Sequence, residues 1–175
     1  MLIAVIPAHN EAASIPHVIE TLHKINIGRI VLVANGCTDS TCEQAMRCAK
    51  KNTLDILHYP EELGVDLPRA IGAAYARRFE PAVLLFVDGD MKGDIAYALL
   101  DLACGVQKGL DMALTNCYPF IYQRNELALD VISARENLNR RLGLFNKIGV
   151  ATPSHGPHAI SGALLRAAPE KIFAV

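Results

Sequence analysis

Short apolar runs alternate with stretches of helical period from the first residues onward. Leu2 to Ile6 reads as a buried strand, and Ala12 to Lys24 as a helix with Ile15, Val18, Ile19 and Leu22 on one face. Arg29 to Ala34 is a second strand, and Thr41 to Lys51 a second helix preceded by Thr38, Asp39 and Ser40 as capping residues. Leu54 to Tyr59 gives a third strand. The helix over Leu67 to Phe79 carries Pro68 in its first turn, where a missing N–H costs nothing. Ala82 to Val87 forms a fourth strand, Ile95 to Val106 a helix, Met112 to Cys117 a strand and Leu127 to Leu142 a longer polar-faced helix. Gly143 to Pro157 is rich in Gly, Pro, Ser, Thr and Asn and has no period, so it reads as a loop that could close over a site. Ile160 to Ala167 reads as either one more strand or a short helix.

Repeated β-α units require parallel strands joined by right-handed crossovers. The predicted fold is therefore α/β, a mostly parallel doubly wound sheet with helices on both faces. No repeat or low-complexity linker divides the 175 residues, so one domain over 1–175 is expected.

Composition narrows the function classes. A hydrophobic fraction of 51% with 20% charged residues describes a globular chain with a large core. The formal net charge of -1, without a run of one sign, gives no electrostatic reason to bind nucleic acid or an anionic membrane. Cys37, Cys42, Cys48, Cys104 and Cys117 are odd in number and contain no C-x-x-C pair, so free thiols in a reducing, cytoplasmic compartment are expected. Met1 to Ile6 runs straight into Pro7 with no basic flank or cleavage site, so it reads as a core strand and not a signal peptide. No apolar run approaches the roughly 20 residues that span a bilayer. Peripheral membrane attachment through segments outside this chain is the alternative to a purely cytoplasmic location.

Candidate chemistry gathers at strand ends. Leu84 to Val87 stops at Asp88-Gly89-Asp90, two carboxylates separated by one glycine. Acids this close repel unless a cation lies between them, and an oxygen-preferring divalent ion shared with substrate phosphates is the usual resolution. By itself the octapeptide fits an exposed Asp-Gly turn equally well. The first strand, however, ends in Pro7-Ala8-His9-Asn10-Glu11, with Pro7 expected to end the ladder, and the second in Asn35-Gly36-Cys37-Thr38-Asp39. Polar groups from three strands at one predicted edge make a binding site the better reading.

In this order, Pro-x-x-Asn-Glu, Asn-Gly-Cys-Thr-Asp-Ser-Thr and Asp-Gly-Asp resemble the nucleotide-sugar half of GT-A glycosyltransferases, particularly family 2, the match weakening after about Asp94. The resemblance implies a nucleotide-diphospho-sugar transferase-like fold and a metal-dependent hexosyltransferase, taken as inverting, with a nucleoside diphosphate sugar as donor and an unknown acceptor. It implies that Pro7, Ala8, Asn10 and Glu11 line the nucleoside and that Asn35 stands where the family has the acid that holds the base. The usual Asp-Asp-Gly-Ser is here Ala34-Asn35-Gly36-Cys37, so the identity of the base does not carry over. Arg69 takes the place of the basic residue near the donor phosphates, with Arg77 and Arg78 further along the helix. In the DxD motif Asp88 faces the ribose or a metal-bound water, Gly89 lets the backbone pass close to the ligand, and Asp90 coordinates Mn²⁺ or Mg²⁺. Ser154 to Gly162 resembles the glycine-rich acceptor-side segment. Its histidines, His155 and His158, exceed the usual pattern, and His155 is assigned as a further metal ligand, with a surface-loop histidine as the plain alternative. For His9, His17, His23 and His58 core or solvent roles suffice.

Inverting transfer needs a general base for the acceptor hydroxyl. The family's base lies beyond the Gly-rich segment, where Glu170 is the only acid, and nothing around it supports the role. The catalytic base is therefore unassigned. A shortened acceptor side, a base elsewhere in the chain and a retaining mechanism all stand as alternatives, as does a nucleotide-sugar binding module with little activity. A sugar-phosphate nucleotidyltransferase ranks last, because Pro7 to Glu11 lacks the glycines and basic residue of that class.

Overall fold

The computed structural model describes residues 1–64, 66–116, 126–153 and 156–168. Its elements are β1 (Leu2–Ala8), α1 (Ile15–Lys24), β2 (Arg29–Asn35), α2 (Thr41–Cys48), β3 (Leu54–Tyr59), α3 (Leu67–Arg77), β4 (Val83–Phe86), α4 (Ala96–Gln107), β5 (Met112–Leu114), α5 (Glu126–Arg141), α6 (Phe145–Ile148), β6 (His158–Ser161) and α7 (Gly162–Ala167). The chain packs as two compact units, Met1–Ala113 with Pro157–Val175, and Leu114–Gly156.

In the first unit a six-stranded sheet runs in the order β3-β2-β1-β4-β6-β5. β1 is parallel to both β2 and β4, and β2 is parallel to β3, while β6 lies antiparallel to β4. The central strands are buried on both faces, so they read as continuous apolar runs and not as alternating ones. Their side chains divide by parity. Ala4, Ile6, Ile30, Leu32 and Leu85 meet Ile15, Val18 and Leu22 of α1 and Leu99 of α4 on one face. Ile3, Val5, Val31, Val33, Leu84 and Phe86 meet Ala70, Ala73 and Ala76 of α3 and Leu165 of α7 on the other. The doubly wound α/β fold expected from the sequence is the fold observed. Because β2 and β3 lie to one side of β1 and β4 to the other, the order in which strands are added reverses between β1 and β4, and the crevice at their carboxyl ends is the place where such sheets bind ligands.

Several local expectations are corrected. Pro7 does not end β1, which continues to Ala8 with Pro7 opposite Val33. The carbonyl of Val5 accepts from Val87 N at 3.0 Å, so two residues on the missing N–H of Pro7 falls on the β4 side, where the ladder has already stopped. Helix α1 begins at Ile15 and not at Ala12, because Pro16 is tolerated only in a first turn. The expected loop over 143–157 contains the single turn α6, too short for a helical period to show. The segment left as strand or helix is both: β6 pairs with β4, and Ser161 Oγ then accepts from Leu164 N at 3.0 Å to cap α7.

Helix α3 lies close on the sheet because residue 72 is glycine. A Cβ there would stand 2.2 Å from a methyl carbon of Val5 and 3.2 Å from one of Val33. Gly72→Ala is expected to destabilise the protein by about 1–3 kcal/mol despite alanine's better helix propensity, measurable as a lower denaturant midpoint. Arg69, one turn earlier on the same helix face, is carried down onto the sheet edge by this close approach.

The second unit contains α5 and α6. Asn139 closes their connection by donating from Nδ2 to the carbonyls of Gly149 at 2.7 Å and Ala151 at 3.1 Å. Among the described residues no helix is long and apolar enough to cross a membrane.

Candidate functional site

The loops after β1 and β2 are joined by polar side chains. Asn10 adopts a left-handed backbone, φ 56°, which asparagine tolerates better than most residues. Its Oδ1 accepts from Thr38 N at 2.8 Å and from Thr38 Oγ1 and Asp39 N at 3.3 Å. In return Glu11 N donates to Thr41 Oγ1 at 2.7 Å and Ala12 N to Asp39 Oδ2 at 3.0 Å. Burial would raise the Asp39 carboxyl, but the Thr41 hydroxyl and the N–H groups of Ala12 and Thr41 outweigh it and hold the carboxyl below its ordinary value. A depressed carboxylate contributes stability that is present above its unfolded pKa and lost as pH falls through the folded one, so acid loosens this junction.

Asn35 closes the third side. It is 3% exposed, donates from Nδ2 to Ala8 O at 3.0 Å and accepts at Oδ1 from Leu63 N at 3.1 Å. Its own carbonyl accepts from His9 Nδ1 at 2.8 Å. With Nδ1 protonated, His9 Nε2 is left to accept from Asn10 Nδ2 at 3.3 Å.

Across the crevice, β4 delivers Asp88, Gly89 and Asp90. A Cβ on Gly89 would stand 3.0 Å from the carbonyl oxygen of Pro7 and 3.3 Å from Glu11 Cγ, so a side chain there would push the β4 turn and the end of β1 apart by a few tenths of an ångström. Asp88 Oδ1 accepts from Arg69 Nη2 at 2.7 Å, and Asp66 stands 3.7 Å from Arg69 Nη1. The guanidinium is buried, and its Nε and Nη1 have no hydrogen-bond partner among the described residues. Asp90 is exposed and makes no hydrogen bond or ion pair with the described residues. It borders a cavity of about 410 Å³ with Glu11, Ser14, His17 and Met91 to Gly93. Glu11 is oriented there by Ser14 Oγ, which donates to Oε2 at 2.7 Å, and His17 Nε2 donates to Gly93 O at 2.7 Å.

The fold thus brings Pro7, Ala8, Asn10, Glu11, Asn35, Arg69, Asp88, Gly89 and Asp90 to one sheet edge. His155 lies outside the described residues, as does Glu170. His158 is buried in β6 and stacks on Phe86 with ring centroids 4.6 Å apart. Arg77 Nη2 donates to the carbonyls of Leu165 and Ala168, and Arg78 covers the Tyr75 ring, which ties both arginines to packing. Ser14, His17, Thr41 and Asp66 were not singled out as site residues. Ser14 could have been found from Pro16, which sets the helix start just after it. Among the described residues no three His, Cys, Asp or Glu side chains converge as a ready metal cage. The donor set is instead one free carboxylate beside one arginine-paired carboxylate, which suits a hard ion that takes most of its oxygens from phosphate and water.

No protein-family model matches the chain, and no curated protein does either. Solved structures do. A structure described as that of a mycobacterial protein matches with a TM-score of 0.71 and 20% identity over 97% of this chain. Glucosyl-3-phosphoglycerate synthase from Mycobacterium tuberculosis matches with a TM-score of 0.71 and 19% identity in its complex with Mn²⁺, UDP-glucose and phosphoglyceric acid. The same enzyme with Mn²⁺, UDP and phosphoglyceric acid gives 0.69 and 18%. This chain covers 56%, 59% and 58% of those three, so it spans less than two thirds of their length. At such identity the likeness is one of fold, and the fold is the α/β, GT-A type expected from the sequence.

Proposed function

We propose that this chain binds a nucleoside diphosphate sugar with Mn²⁺ or Mg²⁺ and transfers the sugar to an acceptor, as a family 2-like GT-A glycosyltransferase. The observation that carries the reading is the buried Arg69 guanidinium at the switch point. It is paired with Asp88, has Asp66 3.7 Å from Nη1, leaves Nε and Nη1 without a hydrogen bond among the described residues, and has the unpaired Asp90 two residues beyond its closer partner. Buried, unsatisfied donors cost free energy that an anion recovers, and a diphosphate supplies the oxygens. In this reading Pro7, Ala8, Asn10, Glu11 and Asn35 form the nucleoside side, and Arg69, Asp88 and Gly89 the phosphate side. Asp90, with Asp88 behind it, would hold the ion. Bound there, the ion supplies Lewis-acid neutralisation of the departing diphosphate. That solved structures of the same fold hold Mn²⁺ with UDP or UDP-glucose supports the choice of donor class.

Inversion at the anomeric carbon is the proposed outcome, with the general base unassigned. The test is release of free nucleoside diphosphate from a panel of nucleotide sugars, with and without candidate acceptors, and with Mn²⁺ or Mg²⁺ against chelator. Metal-dependent release with anomeric inversion in the product is expected. Tight donor binding without turnover would reduce the function to a binding module, and absence of binding to every donor would reject the proposal.

A further inference from the structure

We propose that Asn35 is the positioning residue of the donor pocket and not the reader of its base, an inference that rests on the donor reading above. Each end of its carboxamide already has one backbone partner. Nδ2 faces the carbonyl of Ala8 at 3.0 Å, and Oδ1 faces the N–H of Leu63 at 3.1 Å. A carbonyl can only accept and an amide N–H can only donate, so these two neighbours fix which end of the carboxamide points where. At 3% exposure the side chain offers a base almost no surface. A carboxylate in its place would set its lone pairs against those of Ala8 O, and only an amide satisfies both neighbours. The chemistry of Ala8 and Leu63 therefore explains why residue 35 is Asn.

What the clamp holds is the nucleoside half of the crevice. It joins the end of β1, through Ala8, to the loop that leads from β3 into α3, through Leu63. Cys37 Sγ adds a longer contact of 3.5 Å to the same Ala8 carbonyl. The Asn35 carbonyl, accepting from His9 Nδ1, also fixes the exposed His9 ring, whose other nitrogen meets Asn10. Loss of the clamp should loosen every nucleoside contact together, whatever the base. Loss of a base reader should instead change the order of preference among bases.

The experiment measures the affinities of UDP, CDP, GDP and ADP with Mn²⁺ for wild type, Asn35→Asp and Asn35→Leu, with Mn²⁺ and inorganic pyrophosphate as a probe of the phosphate half alone. Expected is a loss of about tenfold or more, the same for all four nucleotides, with pyrophosphate affinity unchanged. A changed ranking among the bases with overall affinity kept would overturn the proposal. Should both variants fail to fold, the carboxamide protons of Asn35 in wild type decide by NMR. Slow solvent exchange before ligand, and shifts independent of which nucleotide is added, support the clamp. Fast exchange, or base-dependent shifts, overturn it. If no nucleoside diphosphate binds wild type, the donor reading fails by itself, and carboxamide exchange in the ligand-free protein still supports or overturns the clamp.

Discussion

Asp90→Ala is expected to abolish the metal-dependent rise in melting temperature that UDP or GDP gives the wild-type protein, while leaving the ligand-free melting temperature nearly unchanged. The two halves of that expectation have separate causes. Asp90 is exposed and makes no hydrogen bond or ion pair with the described residues, so truncating it should cost within about 0.5 kcal/mol, as for an ordinary surface position. It is also the acid of the Asp88-Gly89-Asp90 turn whose carboxylate is not already paired, because Asp88 is held by Arg69. On the proposed reading Asp90 would be the ion's free protein ligand, so its removal would weaken metal-dependent binding of the diphosphate. A wild-type ligand at about 100 times its Kd stabilises by about 2.7 kcal/mol, which is the signal that should vanish. Turnover should fall by about a thousandfold, since a metal's stabilisation of developing charge amounts to several kcal/mol. Differential scanning fluorimetry with and without Mn²⁺ reads the first effect and nucleoside diphosphate release the second. Unchanged metal-dependent stabilisation in Asp90→Ala would end the metal assignment.

The parts legible from sequence were those fixed by local pattern. Continuous apolar runs such as Leu2 to Ile6 and Leu84 to Val87 announce strands buried on both faces, and their polar punctuation announces which edge faces the ligand. Parallel pairing of β2, β1 and β4 then puts the Asn10, Asn35 and Asp88 segments at one edge, as the polar strand ends suggested. What was not legible depended on distant partners or on segments shorter than a period. The partners that hold Asn35, Ala8 and Leu63, are 27 and 28 residues away, and no local signal names them. The start of α1 was misread because four apolar residues at helical spacing outweighed Pro16 in the pattern, whereas the backbone answers to the proline. β6 and α7 share ten residues from His158 to Ala167, too few for either a twofold or a 3.6-residue repeat to dominate. The burial of Arg69 required knowing that Gly72 lets α3 sit against Val5.

Arg69→Met is expected to weaken binding of nucleoside diphosphates by about a hundredfold, with a smaller loss of stability. Methionine keeps much of the buried stem and removes the charge, so packing and electrostatics separate. In wild type the guanidinium donates to Asp88 and has Asp66 3.7 Å from Nη1, but Nε and Nη1 make no hydrogen bond with the described residues. Two charge-assisted hydrogen bonds to phosphate, at about 1.5–3 kcal/mol each, account for the hundredfold figure with allowance for imperfect geometry. The stability cost arises because Asp88 loses its cation. Removing one member of a fully buried pair costs about 3–5 kcal/mol, but the Asp88 side chain is 27% exposed and water takes over part of the debt, so about 1–3 kcal/mol is expected. Arg69→Met with Asp88→Asn should recover most of the lost stability and none of the lost affinity, a double-mutant cycle that assigns the two functions of the arginine to different partners. Arg69→Lys should fall between, since one ammonium can meet Asp88 or a phosphate but lacks the fork that serves both. The measurements are urea midpoints for stability and calorimetric titration of UDP in Mn²⁺ for affinity. If Arg69→Met bound UDP as wild type does while losing only stability, the arginine would be a packing residue, and the phosphate side of the proposed site would have to lie elsewhere along the β1–β4 crevice.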